Sequence, residues 1–217
     1  MQKSELKELL QSYRLDSIVE ASIKDRSIIR MLISLVYDKE DVQSWRAIEA
    51  IGLASGEIAR KNPDVIRNLS QRLLWMLREE SGNGPGSAPE ILGEIVRQAP
   101  DTFADIGQVV TSFHDEKMLR RGVMRAIWRI SEVRSDLLTI TDELLEHMLY
   151  LRDDDETVRA YALMIAGKLQ LTKFWPIMQE LIGDDSRVKI YENGEFLQTT
   201  VAEIANTVCA GMPGREN

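Results

Sequence analysis

The residues best able to do chemistry in this chain are arginines, carboxylates and aromatics that recur at matched offsets. Arg125 and Arg129 stand four apart, so both guanidinium groups lie on one side of a helix. An arginine fork captures a carboxylate or phosphate through two parallel hydrogen bonds. Trp45, Glu49, Glu90, Tyr161 and Met164 fall at comparable offsets elsewhere in the chain, and Glu49 and Glu90 occupy equivalent places. Together they describe a face with a carboxylate end and a guanidinium end, suited to hold another protein, in particular an acidic helix or tail. The same charges can also pair with one another along the row. Trp45 beside Arg46 is a candidate interface anchor. Tyr191 and Phe196 flank Asn193 and Gly194; they either pack on each other across two strands or form a protruding recognition element.

Enzymatic chemistry is thinly represented. The chain has neither a glycine-rich phosphate loop nor a His-Glu-x-x-His pattern, the signatures of phosphate and zinc chemistry. His114 and His147 are far apart, and His114, Asp115 and Glu116 read as a solvated turn. No catalytic residue, cofactor or metal ligand is expected. Cys209 occupies an apolar position and is expected to be buried and inert.

The elements that must position these residues repeat every 36 to 43 residues. When the helical phrases are aligned on a final anchor, Gly52, Gly93, Arg129, Gly167 and Ala210 coincide. Ala47, Ala88, Met124, Ala162 and Ala205 stand five residues earlier, and Ile51, Leu92, Trp128, Ala166 and Cys209 one residue earlier. Small and apolar side chains at these offsets let neighbouring helices approach and stack. Each phrase is the second helix of a pair. First helices are expected at 28–36, 63–77, 104–113, 142–151 and 174–182, from apolar residues at spacings of three and four. Asn62 and Pro63 open the second of these, and Thr141 caps the fourth. Trp75 and Trp128 fall on apolar offsets and are expected in the core. Two short amphipathic helices, about 4–13 and 16–24, precede the array as its cap.

Two insertions interrupt the pairs, both on the same edge. One spans 79–87 and is rich in glycine; after it, Ser87 and Glu90 predict a capping box with Pro89 in the first turn. The other spans 187–198, where Asn193–Gly194 between two β-prone runs predicts a hairpin. Thr200 and Glu203 then predict a second capping box. Insertions in repeat arrays tend to mark one working face. The expected architecture is all-α, an α-α superhelix of about five helix pairs with one small β-hairpin near the C-terminus. It forms a single domain over 1–217: capping helices at 1–26, repeats at 27–183, hairpin and final helix at 184–210, and a tail at 211–217.

The stretch Leu151 to Gly167 resembles a HEAT repeat, in particular the short HEAT-like repeats of phycobilisome lyases. Asp153, Asp155, Val158, Arg159, Ala162, Ala166 and Gly167 carry the likeness, which extends over roughly residues 28 to 210. The first copy has Gln43 and Ser44 where the pattern asks for Val-Arg, and the third has Arg129 in the glycine position. The resemblance implies that Arg121 and Arg159 pair with acidic turn residues. It leaves the role open, because such arrays serve as scaffolds, chaperone-like subunits, bilin lyases and one class of DNA glycosylase. A non-catalytic protein-binding module or scaffold is the first expectation, and a bilin-lyase-like or glycosylase-like enzyme the alternative.

Composition bounds these readings. The chain has 217 residues, 44% apolar, with a formal charge of −8 and a pI near 5.0. A negative field repels phosphate backbones, so nucleic acid is not the expected partner. A single cysteine excludes an internal disulfide and suits a reducing compartment. The first residues show no signal-peptide apolar stretch, and the longest apolar run, 28–36, is broken by Arg30 and Ser34. A soluble cytoplasmic protein without a membrane segment is expected.

Overall fold

The computed structural model describes residues 1–78, 86–138 and 150–212. Its helices are α1 (Lys3–Gln11), α2 (Leu15–Lys24), α3 (Ser27–Ile33), α4 (Val42–Ala59), α5 (Pro63–Arg78), α6 (Ala88–Gln98), α7 (Ala104–Thr111), α8 (Arg120–Ser131), α9 (Glu156–Lys168), α10 (Trp175–Glu180) and α11 (Val201–Gly211). Strands β1 (Arg187–Glu192) and β2 (Glu195–Thr200) lie between α10 and α11. The expected helix at 142–151, with its cap Thr141, falls almost wholly outside the described residues, as does most of the 79–87 insertion.

The inner row of the array is α4, α6, α8, α9 and α11, each packed on the next. Missing side chains make this spacing possible. A Cβ on Gly52 would meet the Glu94 Cβ at 2.6 Å, one on Gly93 would meet the Ala126 Cα at 2.7 Å, and one on Gly167 would meet Val208 at 2.8 Å. The anchor glycines are therefore the points where successive inner helices touch. Ala47, Ala88, Met124, Ala162 and Ala205, five residues before the anchors, are all buried. Helices α3, α5 and α7 back the row from outside, and one continuous apolar core extends from Leu6 to Met212.

Local signals set most helix starts. The Asp41 carboxylate accepts the Gln43 N–H at 2.9 Å at the head of α4, and Asp155 accepts from Thr157 and Val158 at the head of α9. Thr200 and Glu203 form the reciprocal box that starts α11. The box expected at Ser87 does not form, although Pro89 does lie in the first turn. The Ser87 hydroxyl donates instead to the Val36 carbonyl at 2.5 Å, and Glu90 turns to Lys39. Tertiary partners thus outcompete the local pair.

The tryptophans divide. Trp128 is buried, but Trp75 is 61% exposed, against expectation. On α5 the core-facing stripe is Ile66, Ser70 and Leu73, and two residues past Leu73 is roughly 200° around the helix. Trp75 therefore points outward.

β1 and β2 pair antiparallel with Tyr191 opposite Phe196. Asn193 (φ 48°) and Gly194 (φ 85°) make the turn. A side chain at Gly194 would also strike the Tyr13 ring at 2.5 Å, so both backbone conformation and space demand glycine here. The tip does not protrude into solvent. It folds back across the inner row and rests on the N-terminal helices.

Candidate functional site

The hairpin is clasped by residues far away in the chain. Arg46 on α4 donates from Nε to the Gly194 carbonyl at 2.7 Å and from Nη1 to the carbonyls of Leu10 and Gln11 at 2.9 and 2.7 Å. It thereby ties the C-terminal turn to the end of α1. The Tyr191 hydroxyl donates to Glu49 at 2.6 Å, and Tyr13 donates to the same carboxylate at 3.0 Å. Lys189 pairs with Glu40. Burial, then the Glu49 charge, pushes the Tyr13 hydroxyl up to about 12 and raises Tyr191 in the same direction.

Eight of the nine residues named for the binding face belong to one internal network around this hairpin, whereas Met164 lines a separate opening with Trp128, Gly167 and Val208. Trp45 stacks on Tyr191, with ring centroids 5.8 Å apart, and meets the edge of Phe196 at 6.5 Å. Tyr191 and Phe196 are T-shaped at 6.2 Å. The Arg125 guanidinium lies 4.8 Å from the Trp45 centroid and 6.0 Å from that of Tyr191. Among the described residues its Nε and Nη1 make no hydrogen bond, and the rings of Trp45 and Tyr191 attract its charge. Tyr161 packs on Trp128 at 5.6 Å. Glu90, Arg125, Tyr161 and Tyr191 are each 3% exposed or less, so the hairpin covers the stretch of trough they line.

The two arginines are held by Glu94, a residue outside the expected set. Glu94 is 1% exposed. Its Oε1 receives Arg129 Nε at 2.8 Å and Arg125 Nη2 at 3.1 Å, while Arg97 stands off at 3.8 Å. Arg129 also reaches Glu132 at 2.5 Å. Burial alone would raise the Glu94 carboxyl, but the fields of Arg125, Arg129 and Arg97 outweigh it and hold the group below the usual carboxylate range. Burial works against the charge on Arg129 too, yet Glu94 and Glu132 raise its pKa. The sequence does carry a signal for Glu94: it is the only charge inside the apolar run Ile91–Val96. For Arg46, Tyr13 and Lys39 no such signal exists, since their partners are set by long-range closure.

The structural arginines pair as the repeat resemblance implies. Arg121 binds Asp155, and Arg159 donates to Asp184 at 2.8 Å and to the Asp153 carbonyl at 2.7 Å. Cys209 is a buried free thiol. His114 Nδ1 lies 2.8 Å from the Tyr150 hydroxyl, and His147 is outside the described residues. Among the described residues no group of His, Cys, Asp and Glu is arranged for a metal ion, and no helix is long and apolar enough to cross a membrane.

An opening lies beside the start of the hairpin. A cavity of about 450 Å³ is lined by Lys39, Trp45, Glu90, Gly122, Tyr161 and Phe196, among others, with Tyr37 and Met118 at its mouth. It lies at the leading ends of α4, α6, α8 and α9, against the start of β1. Glu90 Oε1 takes the Lys39 ammonium at 2.5 Å, whereas Oε2 is buried with no partner among the described residues. A buried polar atom left unsatisfied costs about 1–3 kcal/mol, more when charged. Tyr37 and Met118 are 61% and 95% exposed, an apolar rim on an otherwise charged surface.

Comparisons with known proteins bear on the fold. No family model matches the chain. An uncharacterized protein of Archaeoglobus fulgidus is 26% identical over 175 residues, 80% of this chain and 91% of that protein. Of the solved structures, a designed armadillo repeat protein superposes with a TM-score of 0.55 at 16% identity, over 97% of this chain and 93% of that one. An archaeal HEAT-like repeats protein from Thermococcus onnurineus NA1 gives a TM-score of 0.42 at 17% identity, over 100% and 84%. At such identities the likeness concerns the fold alone: this chain is a helical-repeat solenoid, an α-α superhelix carrying one two-stranded insertion.

Proposed function

We propose that this solenoid is a non-catalytic scaffold of the cytoplasm that binds another protein at the cavity mouth. The observation carrying this reading is the pair of exposed apolar residues, Tyr37 and Met118, rimming a recess on an otherwise polar face. Exposed apolar surface rimmed by polar groups is characteristic of docking sites, and methionine adapts its shape to a partner. The covered trough is a poorer receptor for an acidic helix or tail, because Glu94 and Glu132 already occupy Arg125 and Arg129. The same pairing weakens the glycosylase-like alternative, which would set Arg125 and Arg129 against DNA, and the buried Cys209 weakens the bilin-lyase-like one, which calls for an exposed cysteine. The single cysteine supports a reducing compartment.

The test is affinity capture from native lysate with wild-type protein and a Tyr37→Glu, Met118→Glu double variant. Both positions face solvent, so the variant is expected to keep its circular dichroism and melting temperature while losing the protein that the wild type retains. Undiminished capture overturns docking at the mouth.

A further inference from the structure

We propose that the cavity beside the hairpin is a receptor for an organic cation, with Glu90 as its counter-ion. The group bound is a lysine-type ammonium or an arginine-type guanidinium, presented by a partner protein or by a free amine. This names the chemistry of the docking mouth, and for the protein-borne source it rests on the docking reading.

Glu90 is 3% exposed and lines the cavity. Its Oε1 is filled by Lys39, but its Oε2 is not filled. Oε2 stands over Gly122, where a Cβ would lie only 2.6 Å away, so the bare backbone there leaves room for it. A carboxylate oxygen in this setting accepts an N–H donor, and a cationic donor makes the stronger bond.

Trp45, Tyr161 and Phe196 line the same cavity, and aromatic faces attract ammonium and guanidinium groups. The protein's own lysines already use this property: Lys39 Nζ lies 4.9 Å from the Trp45 centroid and Lys189 Nζ 4.9 Å from that of Phe196. Each lining cation except Arg187 has a carboxylate, Lys39 with Glu90, Lys189 with Glu40, and Arg121 with Asp155. Arg187 is exposed on the rim. What is left unfilled inside is an acceptor, and the net charge of −8 draws cations toward the surface.

An anion site would use the same lysines and the helix N-termini, and the two readings differ in sign at Lys39. For a cation, Lys39 competes; for an anion, it helps. The Trp45 indole N–H, which donates to the Lys39 carbonyl at 2.9 Å, gives a local NMR probe. Agmatine, Nα-acetyl-lysinamide and a lysine-containing tetrapeptide are titrated into wild type, Glu90→Gln and Lys39→Met, with inorganic phosphate and acetate as anions. The cations are expected to shift the Trp45 signal saturably, about tenfold more weakly in Glu90→Gln and about tenfold more tightly in Lys39→Met, each step of roughly 1.4 kcal/mol. A cooperative thermal transition, whatever its midpoint, shows that each variant is folded. Tighter binding of the tetrapeptide assigns the ligand to a partner protein, and tighter binding of agmatine assigns it to a free amine. The inference is overturned if no cation saturates at tens of millimolar, if Glu90→Gln binds as well as wild type, if Lys39→Met weakens binding, or if an anion gives the shift instead. Cation binding that persists when the rim variant loses no partner leaves this site standing and removes the docking reading. Partner capture sensitive to the rim but indifferent to Glu90→Gln does the reverse.

Discussion

Two glutamates four residues apart on α6 have opposite surroundings. Glu94 is sealed between α4 and α8, beneath Gly52 and against three arginines. Glu90, one turn earlier, has a single lysine, one unfilled oxygen and a cavity in front of it. Both are buried, so burial alone does not distinguish a structural carboxylate from a binding one. The difference is whether the surrounding groups complete the charge. Around Glu94 they do, which makes it a strut. Around Glu90 they leave an acceptor open, which makes it a receptor.

The largest expected effect comes from breaking the strut. Glu94→Gln keeps the shape but strands Arg125, itself 1% exposed. Loss of one partner of a buried pair costs about 3–5 kcal/mol, and chemical denaturation should show a fall of that size. Acid should mimic it. The Glu94 carboxyl titrates below its ordinary value, so its stabilisation is full above the unfolded-state range. It disappears as pH falls through the folded value.

Tyr161, within reach of Arg125 and Glu90, responds at the other end of the pH scale. Burial first, opposed by Arg125 and assisted by Glu90, lifts its hydroxyl to about 12. A phenol whose folded pKa is raised stabilises the fold fully below the unfolded value near 10. That stability is lost as pH rises towards 12. The Tyr161 share of the alkaline loss should approach about 2–3 kcal/mol, and Tyr161→Phe should lose less than wild type by that amount, with Tyr13 and Tyr191 still contributing. An identical alkaline profile in that variant would assign the effect to Tyr13 and Tyr191 at the clasp.

How much of this contrast was visible in the sequence depends on its range. The stacking glycines Gly52, Gly93 and Gly167 were legible because each sits at a fixed offset within a repeat, and contact with the next helix imposes that offset. The hairpin was legible because Asn193 and Gly194 carry a turn conformation that few residues adopt. Arg121 and Arg159 followed from the repeat pattern. Eight of the nine residues named for the binding face do meet in space, yet nothing in their spacing signals that the chain's own hairpin covers them. Closure is set by Arg46 reaching a carbonyl 148 positions away, and nearest-neighbour logic for repeats has no place for such a contact. The failed Ser87–Glu90 box has the same origin. Val36 and Lys39, both remote in sequence, offered better partners than the local backbone.

Two glycine substitutions sharpen the contrast further. At Gly52 a new methyl group meets the Cβ of Glu94 at 2.6 Å and its backbone carbonyl at 3.2 Å. Neither can swing aside, so Gly52→Ala should force α4 and α6 apart and lose about 1–3 kcal/mol. At Gly122 the new methyl group meets only the carboxylate end of Glu90. A rotamer change there costs roughly 0.5–1.5 kcal/mol at most, so Gly122→Ala should melt close to wild type. The displaced carboxylate moves into the cavity, and the Trp45 indole resonance should shift even without a ligand. Equal destabilisation by the two alanines would mean that Glu90 is as rigidly held as Glu94, and the distinction between strut and receptor would fail.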